Sequence, residues 1–152
     1  MPEKTDHQIL QLLQSNGRLS NVELAEHIHL SASPCLRRVK QLEAQGYIKG
    51  YRATLDRKKV GLSMTVFIEV RLNSHTRDAS EAFETSVVNL PNVISAYLVS
   101  GYADYRLEVV SQDLADYEEI LKSVQNLPFV KDIHSNFAIR AIKSDAPLPI
   151  EK

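Results

Sequence analysis

Residues 18–46, RLSNVELAEHIHLSASPCLRRVKQLEAQG, encode two short amphipathic helices, each with its own start signal, joined by a tight turn. Few arrangements satisfy that pattern, and the helix-turn-helix is the most familiar of them. Ser20 and Glu23 form a capping box: the serine oxygen takes an orphan backbone N–H, and the glutamate reaches back to the N–H of the cap. A helix should therefore begin at Asn21, with Val22, Leu24, Ala25 and Ile28 on one stripe and Glu23, Glu26 and His27 facing water. The chain restarts at Ser31-Ala32-Ser33-Pro34, where either serine can cap and proline is tolerated in a first turn. The second helix is expected to bury Cys35, Leu36, Val39 and Leu42 and to stop at Gly46, a residue suited to a left-handed C-cap.

The second helix leaves Ser33, Arg37, Arg38, Lys40 and Gln41 outside its apolar stripe. In a helix-turn-helix this surface enters the major groove. Arginine can donate two hydrogen bonds to guanine, glutamine can pair with adenine, and lysine mainly neutralises phosphate. Arg37, Arg38 and Gln41 are thus candidates to read or position bases, with Lys40 and Arg52 nearer phosphate and Ser31, Ser33 and Pro34 at the leading end. Three basic residues alone would describe any solvated helix face, but the capped two-helix setting favours the groove.

Upstream, Thr5 or Asp6 can cap a first helix whose Ile9, Leu10, Leu12 and Leu13 support the other two, ending near Asn16-Gly17. Downstream, Tyr47-Ile48 follows the glycine and residues 51–55 read as a short strand, which completes a small winged three-helix domain over residues 1–50. So thin a core gains from a neighbour.

The 152-residue chain has room for that neighbour. Charge divides it: residues 1–60 carry 10 Lys and Arg against 6 Asp and Glu, a net of +4, while residues 61–152 carry 8 against 13, a net of −5. A basic head on an acidic body suits a nucleic-acid partner for the head alone. No apolar run approaches the roughly 20 residues that span a bilayer, and the N-terminus lacks the apolar stretch of a secretion signal, so a cytoplasmic location is expected. The single Cys35 permits no internal disulfide.

The body contains an internal echo. Asn89-Leu90-Pro91-Asn92-Val93 recurs 37 residues later as Asn126-Leu127-Pro128-Phe129-Val130, each copy closing a helical pattern and opening a strand. The helices run over about 78–89, with Ala82, Phe83 and Val87 inward, and about 113–126, with Tyr117, Ile120, Leu121 and Val124 inward. Strand-like runs occupy 65–72, 93–99, 105–110 and 132–142. The order is βαββαβ, an α+β ferredoxin-like sandwich over residues 63–143, with residues 51–62 as a linking strand and 144–152 as an extended tail. Val66, Ile68 and Val70 alternate with Phe67, Glu69 and Arg71, and Phe137 and Ile139 with Ala138 and Arg140, which places apolar side chains on both sheet faces. A partly apolar face that no helix covers predicts a symmetric homodimer, which also sets two recognition helices on one duplex.

Between the middle strands stands Leu98-Val99-Ser100-Gly101-Tyr102-Ala103-Asp104-Tyr105. Gly101 can bring backbone N–H groups close to a carboxylate and Asp104 can accept from an ammonium, the two groups of a free amino acid. The same octet also reads as an ordinary hairpin loop with glycine at a turn position.

Taken together, SNVELAEHIHLS, PCLRRVKQLEAQGYIKGY and LVSGYADY closely resemble the Lrp/AsnC family of bacterial and archaeal transcription regulators, over nearly the whole of residues 6–143. The resemblance implies a winged helix-turn-helix joined to an amino-acid-binding domain of the RAM or ACT kind, and dimers that assemble further, often four in an octameric ring. It also implies effectors bound where dimers meet. By position, the effector site would use Ser100, Gly101, Tyr102, Ala103 and Asp104, with Leu98, Leu114, Phe137, Ala138 and Ile139 matching positions tied to effector response. The nearest likeness is to the leucine-responsive branch, which implies leucine, methionine or a similar apolar effector. The chain departs at His29, where many members carry glycine; histidine tolerates a positive φ better than most residues.

Other chemistry is poorly represented. The five histidines never fall at zinc-ligand spacing, and no cofactor is implied. There is no nucleophile elbow, phosphate loop or dinucleotide fingerprint, so catalysis is not expected. Asp116, Glu118 and Glu119 suit a solvated helix face. Two other classes share these features: a DNA-organising protein without effector response, and an amino-acid-binding regulatory subunit of an enzyme.

Overall fold

A computed structural model describes residues 3–150, and the outermost positions of the expected head and tail, 1–2 and 151–152, lie outside it. The chain forms two compact units, one of residues 1–54 with 142–152 and one of residues 55–141.

The first unit holds α1 (Lys4–Ser15), α2 (Asn21–His27) and α3 (Ala32–Ala44). Glu3 is the N-cap of α1. Asp6, expected at the cap, sits one turn in and accepts the Glu3 backbone N–H at 3.2 Å. α2 starts as its sequence dictates: the Glu23 N–H donates to Ser20 Oγ at 3.2 Å and the Ser20 N–H to Glu23 Oε2 at 2.7 Å. His29 takes φ 55° in the turn, and Gly46 takes φ 76° after α3. Ser31 caps α3 by position, without a side-chain bond. The core is Ile9, Leu24, Ala25, Ile28, Cys35 and Leu42, with Leu10, Leu12, Leu13 and Val39 packed against it.

Two stripe assignments are corrected. Val22 is 58% exposed and Leu36 42% exposed, so neither belongs to the core. The buried stripe of each helix is narrower than its apolar pattern. The strand expected over 51–55 is also absent: these residues are irregular, and no strand is assigned in this unit among the described residues. Tyr51 fixes them instead, its hydroxyl donating to Glu43 Oε1 on α3 at 3.0 Å. Residues 144–150 carry no helix or strand, and they dock on α1. Gln14 clasps the Leu148 backbone from both sides, accepting its N–H at 2.6 Å and donating to its carbonyl at 3.2 Å, while Gln11 donates to the Ile150 carbonyl at 2.9 Å.

The second unit runs β1 (Met64–Leu72), α4 (Arg77–Val87), β2 (Val93–Leu98), β3 (Tyr105–Ser111), α5 (Leu114–Gln125) and β4 (Val130–Phe137), with strand order β2-β3-β1-β4, all antiparallel. Asp113 and Thr76 cap the two helices through their side chains. One face of the sheet, including Val66, Ile68, Val70, Leu107 and Val109, forms a single core with Phe83, Val87, Tyr117, Ile120 and Val124. The last strand ends at Phe137 instead of 142, although the Ala138 N–H still donates to the Thr65 carbonyl at 2.9 Å.

The opposite face is less apolar than the alternation predicts. Phe137 pairs with Val66 and stacks edge-on against Tyr117 at 4.9 Å, which places it on the helix side. The other face carries Phe67, Glu69, Arg71, Arg106, Glu108, Asp132, His134 and Asn136 in register. Arg106 lies over the Phe67 ring at 4.8 Å. Arg57, from the segment before β1, donates to Glu108 and Thr65 at 2.9 and 3.1 Å. This face mixes charge with the apolar side chains of Phe67, Val110 and Tyr97, which pair with Glu108, Thr65 and Arg106.

Candidate functional sites in the two units

On α3 the helical repeat decides which side chains are free. Cys35 and Leu42 point into the core, and Ser33, Arg37, Lys40 and Gln41 are exposed on the other side together with the unexpected Leu36. Ser31 is exposed ahead of the helix and Pro34 is half-buried in its first turn. Asn21 anchors this end of α3 to α2, donating to the Ala32 carbonyl at 2.8 Å. The exposed face therefore presents two cations, a hydroxyl, an amide and one isobutyl group, with Ser33 in the first turn of the helix and Lys40 and Gln41 toward its C-terminal end.

Arg38 stands apart from that face. It is half-buried and reaches back to α1, donating to Asp6 Oδ1 and Glu3 Oε2, both at 2.9 Å. Those bonds, with Asp6 foremost, raise its already high pKa. Its charge is neutralised within the unit. Arg52 is exposed, one residue after the Tyr51 anchor. Burial and the Glu43 carboxylate push the Tyr51 phenol up to about 12, so the anchor keeps its proton at any physiological pH.

In the second unit the loop between β2 and β3 is closed by its own backbone, with the Val99 N–H donating to the Asp104 carbonyl at 2.9 Å and the Asp104 N–H to the Val70 carbonyl at 3.0 Å. Gly101 turns the chain at φ 112°, a conformation side chains rarely adopt. Ser100, Gly101 and Tyr102 stand out in solvent, and Ala103 is buried. Asp104 engages both oxygens inside the unit: Oδ2 accepts the Leu72 N–H at 2.8 Å, and Oδ1 lies 3.1 Å from His75 Nε2. It shapes the loop that the sequence assigned to ligand contact.

The effector residues expected from sequence divide between two ends of the sheet. Leu98 pairs with Tyr105, which pairs with Val70, so Leu98 and the loop share one end. Phe137 pairs with Val66, and Ala138 and Ile139 follow it; Leu114 follows Ser111, the partner of Met64. From Val66 to Val70 is about 13 Å along the strand. Leu98, Leu114 and Ile139 are 71%, 65% and 99% exposed, apolar groups with nothing over them in one chain.

The loop does border a cavity of about 390 Å³, lined by Tyr102 and Ala103 with Glu69, Arg71, Asp132, Ile133 and His134. The last five were not among the residues expected. For Glu69 and Arg71 the signal was the alternation along β1, which sets them two residues apart on the face away from the helices. Among the described residues no group of three or more His, Cys, Asp or Glu is placed to hold a metal ion. No helix there is long and apolar enough to cross a membrane.

Comparison with known proteins covers both units. The family model described as Lrp/AsnC ligand binding domain matches residues 65–148, and one described as winged helix-turn-helix DNA-binding matches residues 2–49. The leucine-responsive regulatory protein of Escherichia coli K12 is 38% identical over 150 residues, 98% of this chain and 92% of that one. A transcriptional regulator of Neisseria meningitidis, solved as its L-methionine complex, superposes with a TM-score of 0.91 at 41% identity, covering 98% of this chain and 97% of its own. An AsnC family regulator from Agrobacterium tumefaciens gives 0.93 at 35% identity, covering 97% of each chain.

Proposed function

Since this chain belongs to the Lrp/AsnC family of transcription regulators, we propose that the face of α3 bearing Ser33, Arg37, Lys40 and Gln41 reads duplex DNA, with the second unit sensing a free amino acid. The observation that carries the reading is the exposure of those four side chains on the second helix of a capped pair, opposite a buried Cys35 and Leu42. Arg37 and Gln41 address base edges; Lys40 and Arg52 hold phosphate, and Ser31, Ser33 and Pro34 frame the helix end beside the backbone. Arg38 acts by fixing α3 on α1.

Residues 1–50 are the DNA-binding domain, 63–143 the sensing and assembly domain, 51–62 the link between them and 144–152 a tail. The effector is leucine, methionine or a similar apolar amino acid. The division of Leu98 and Ser100, Gly101, Tyr102, Ala103 and Asp104 from Leu114, Phe137, Ala138 and Ile139 supports a site completed by a second copy, which brings the other end of its sheet to the first. A homodimer that assembles further, to an octamer, meets that requirement. The protein works in the cytoplasm and catalyses no reaction.

An effector changes DNA affinity only through differential binding to two assembly states, and the effect is reciprocal. Selection of bound duplexes from random or genomic fragments, followed by retention assays with Arg37→Glu, tests the reading. Retention is lost while the oligomer persists; unchanged retention removes α3 as the reading element.

A further inference from the structure

Leu36 is the one large apolar side chain exposed on α3, and the packing of the first unit does not account for it. It is 42% exposed and lies outside the core cluster, while Cys35 and Leu42 of the same helix lie within it. At about 100° per residue, Leu36, Lys40, Ser33, Arg37 and Gln41 follow one another around an arc of about 140°, with Leu36 at one edge and Gln41 at the other. Glu43, two turns on along the Leu36 edge, accepts from the Tyr51 hydroxyl at 3.0 Å. The free part of that edge is therefore the isobutyl group.

The neighbours of Leu36 decide what can cover it. An apolar protein surface laid on this edge also takes Lys40 and Arg37 out of water without a counter-charge, which is costly. Duplex DNA supplies phosphates for those cations. Among the base edges of its major groove it also displays one methyl group, the C5-methyl of thymine. Long helical side chains lean toward the helix N-terminus. The isobutyl group thus covers the turn that begins at Ser33, in the half of the helix that a helix-turn-helix sets against the bases. A leucine left in water contributes nothing to the fold, and it releases its hydration shell when a partner covers it.

We propose that Leu36 is a specificity residue that reads thymine, packing its isobutyl group on the C5-methyl, while Arg37 and Gln41 make the hydrogen-bonded contacts toward the other edge. This rests on the reading of α3 as the DNA-binding helix and assigns a sequence preference to a residue outside its polar contacts. The base pair beneath Leu36 is then fixed without a hydrogen bond from that residue.

Fluorescence anisotropy with a duplex selected from random sequence, prepared with each thymine in turn replaced by deoxyuridine, tests the assignment, because uracil keeps every hydrogen-bonding group of thymine and lacks only the methyl. In wild type at least one replacement weakens binding, by about fourfold for one buried methyl group. Leu36→Ala binds the thymine duplex more weakly and loses the response at that position, Leu36→Met retains it in part, and selection repeated with Leu36→Ala no longer fixes thymine there. The melting temperature of Leu36→Ala stays at the wild-type value, since the side chain lies outside the core. Wild-type affinity that ignores every uracil replacement overturns the assignment, as does Leu36→Ala weakened equally on thymine and uracil duplexes. A changed sedimentation coefficient with unchanged DNA affinity gives Leu36 to assembly and also overturns it. In each of these cases α3 remains the reading helix as long as Arg37→Glu abolishes retention; retention kept by Arg37→Glu removes the helix and this assignment together.

Discussion

Arg38 of α3 and Asp6 of α1 form an ion pair at 2.9 Å, with the Asp6 side chain only 16% exposed. The pair ties the recognition helix to the first helix of the unit and separates two arginines that are neighbours in sequence: Arg37 is free and Arg38 is bound. Replacing Arg38 with glutamine leaves Asp6 half-buried without its partner, and the first unit is expected to lose roughly 1 kcal/mol. Arg37→Gln should leave thermal stability unchanged. Equal melting temperatures for the two variants would show that the pair does not hold α3.

The same division predicts different salt dependences. Where Lys40 and Arg52 hold phosphate as proposed, Lys40→Ala and Arg52→Ala should each flatten the slope of log affinity against log salt by about 1. Arg37→Gln should weaken binding to a selected sequence more than to random duplex. Fluorescence anisotropy at several salt concentrations distinguishes these effects, and a uniform loss for all three variants would place Arg37 on the backbone as well.

The α2 capping box gives a pH prediction. Glu23 is held below its usual carboxylate range, first by the Ser20 backbone N–H and then by the Ser20 hydroxyl. Since the folded value is depressed, the contribution is complete above the unfolded value near 4.5 and is lost as pH falls through the folded value. Glu23→Gln should therefore flatten the stability profile on the acid side and leave it unchanged above pH 7 apart from a constant offset. Ser20→Ala removes the cap itself and should cost about 1 kcal/mol at neutral pH.

Tyr51 sets the opposite limit. Its phenol, pushed up to about 12, stays protonated where ordinary tyrosines ionise. The folded value exceeds the unfolded one near 10, so its stabilising contribution is full below that value and disappears as pH rises through about 12. Ultraviolet titration should show a late-ionising phenol that is missing in Tyr51→Phe. Ionisation of all tyrosines near 10 would contradict the Glu43 anchor.

His29 offers a test of the turn. At φ 55° it holds a conformation that costs an L-residue about 1 kcal/mol or more relative to glycine. His29→Gly should raise the melting temperature without changing DNA affinity; a lower melting temperature would show that the histidine side chain contributes more than the strain removes.

Local chemistry made much of this legible in sequence. Ser20 with Glu23 and the repeated Asn-Leu-Pro after each body helix act within a few residues, so their reading needed no tertiary information. The element order βαββαβ followed from the alternation of strand and helix patterns, while the sheet order β2-β3-β1-β4 came from the structure. What was missed depends on partners far along the chain. Arg38 is 32 residues from Asp6, and a wheel drawn on α3 alone leaves it pointing outward. Leu36 and Val22 are apolar and helical but lie outside the core cluster of the first unit. Residues 51–55 are apolar enough for a strand but meet no partner strand, and Tyr51 takes Glu43 instead. Asp104 read as a free acceptor because the Leu72 N–H that occupies it belongs to another strand.

Amino-acid binding in the second unit and DNA binding in the first are proposed to be linked. The decisive measurement is anisotropy titration of a selected duplex with the full chain, with and without saturating L-methionine or L-leucine at fixed salt. The DNA Kd should shift by a fixed factor with effector, and the effector Kd by the same factor when DNA is present. A DNA affinity that is steep in salt yet identical with and without every amino acid would contradict it.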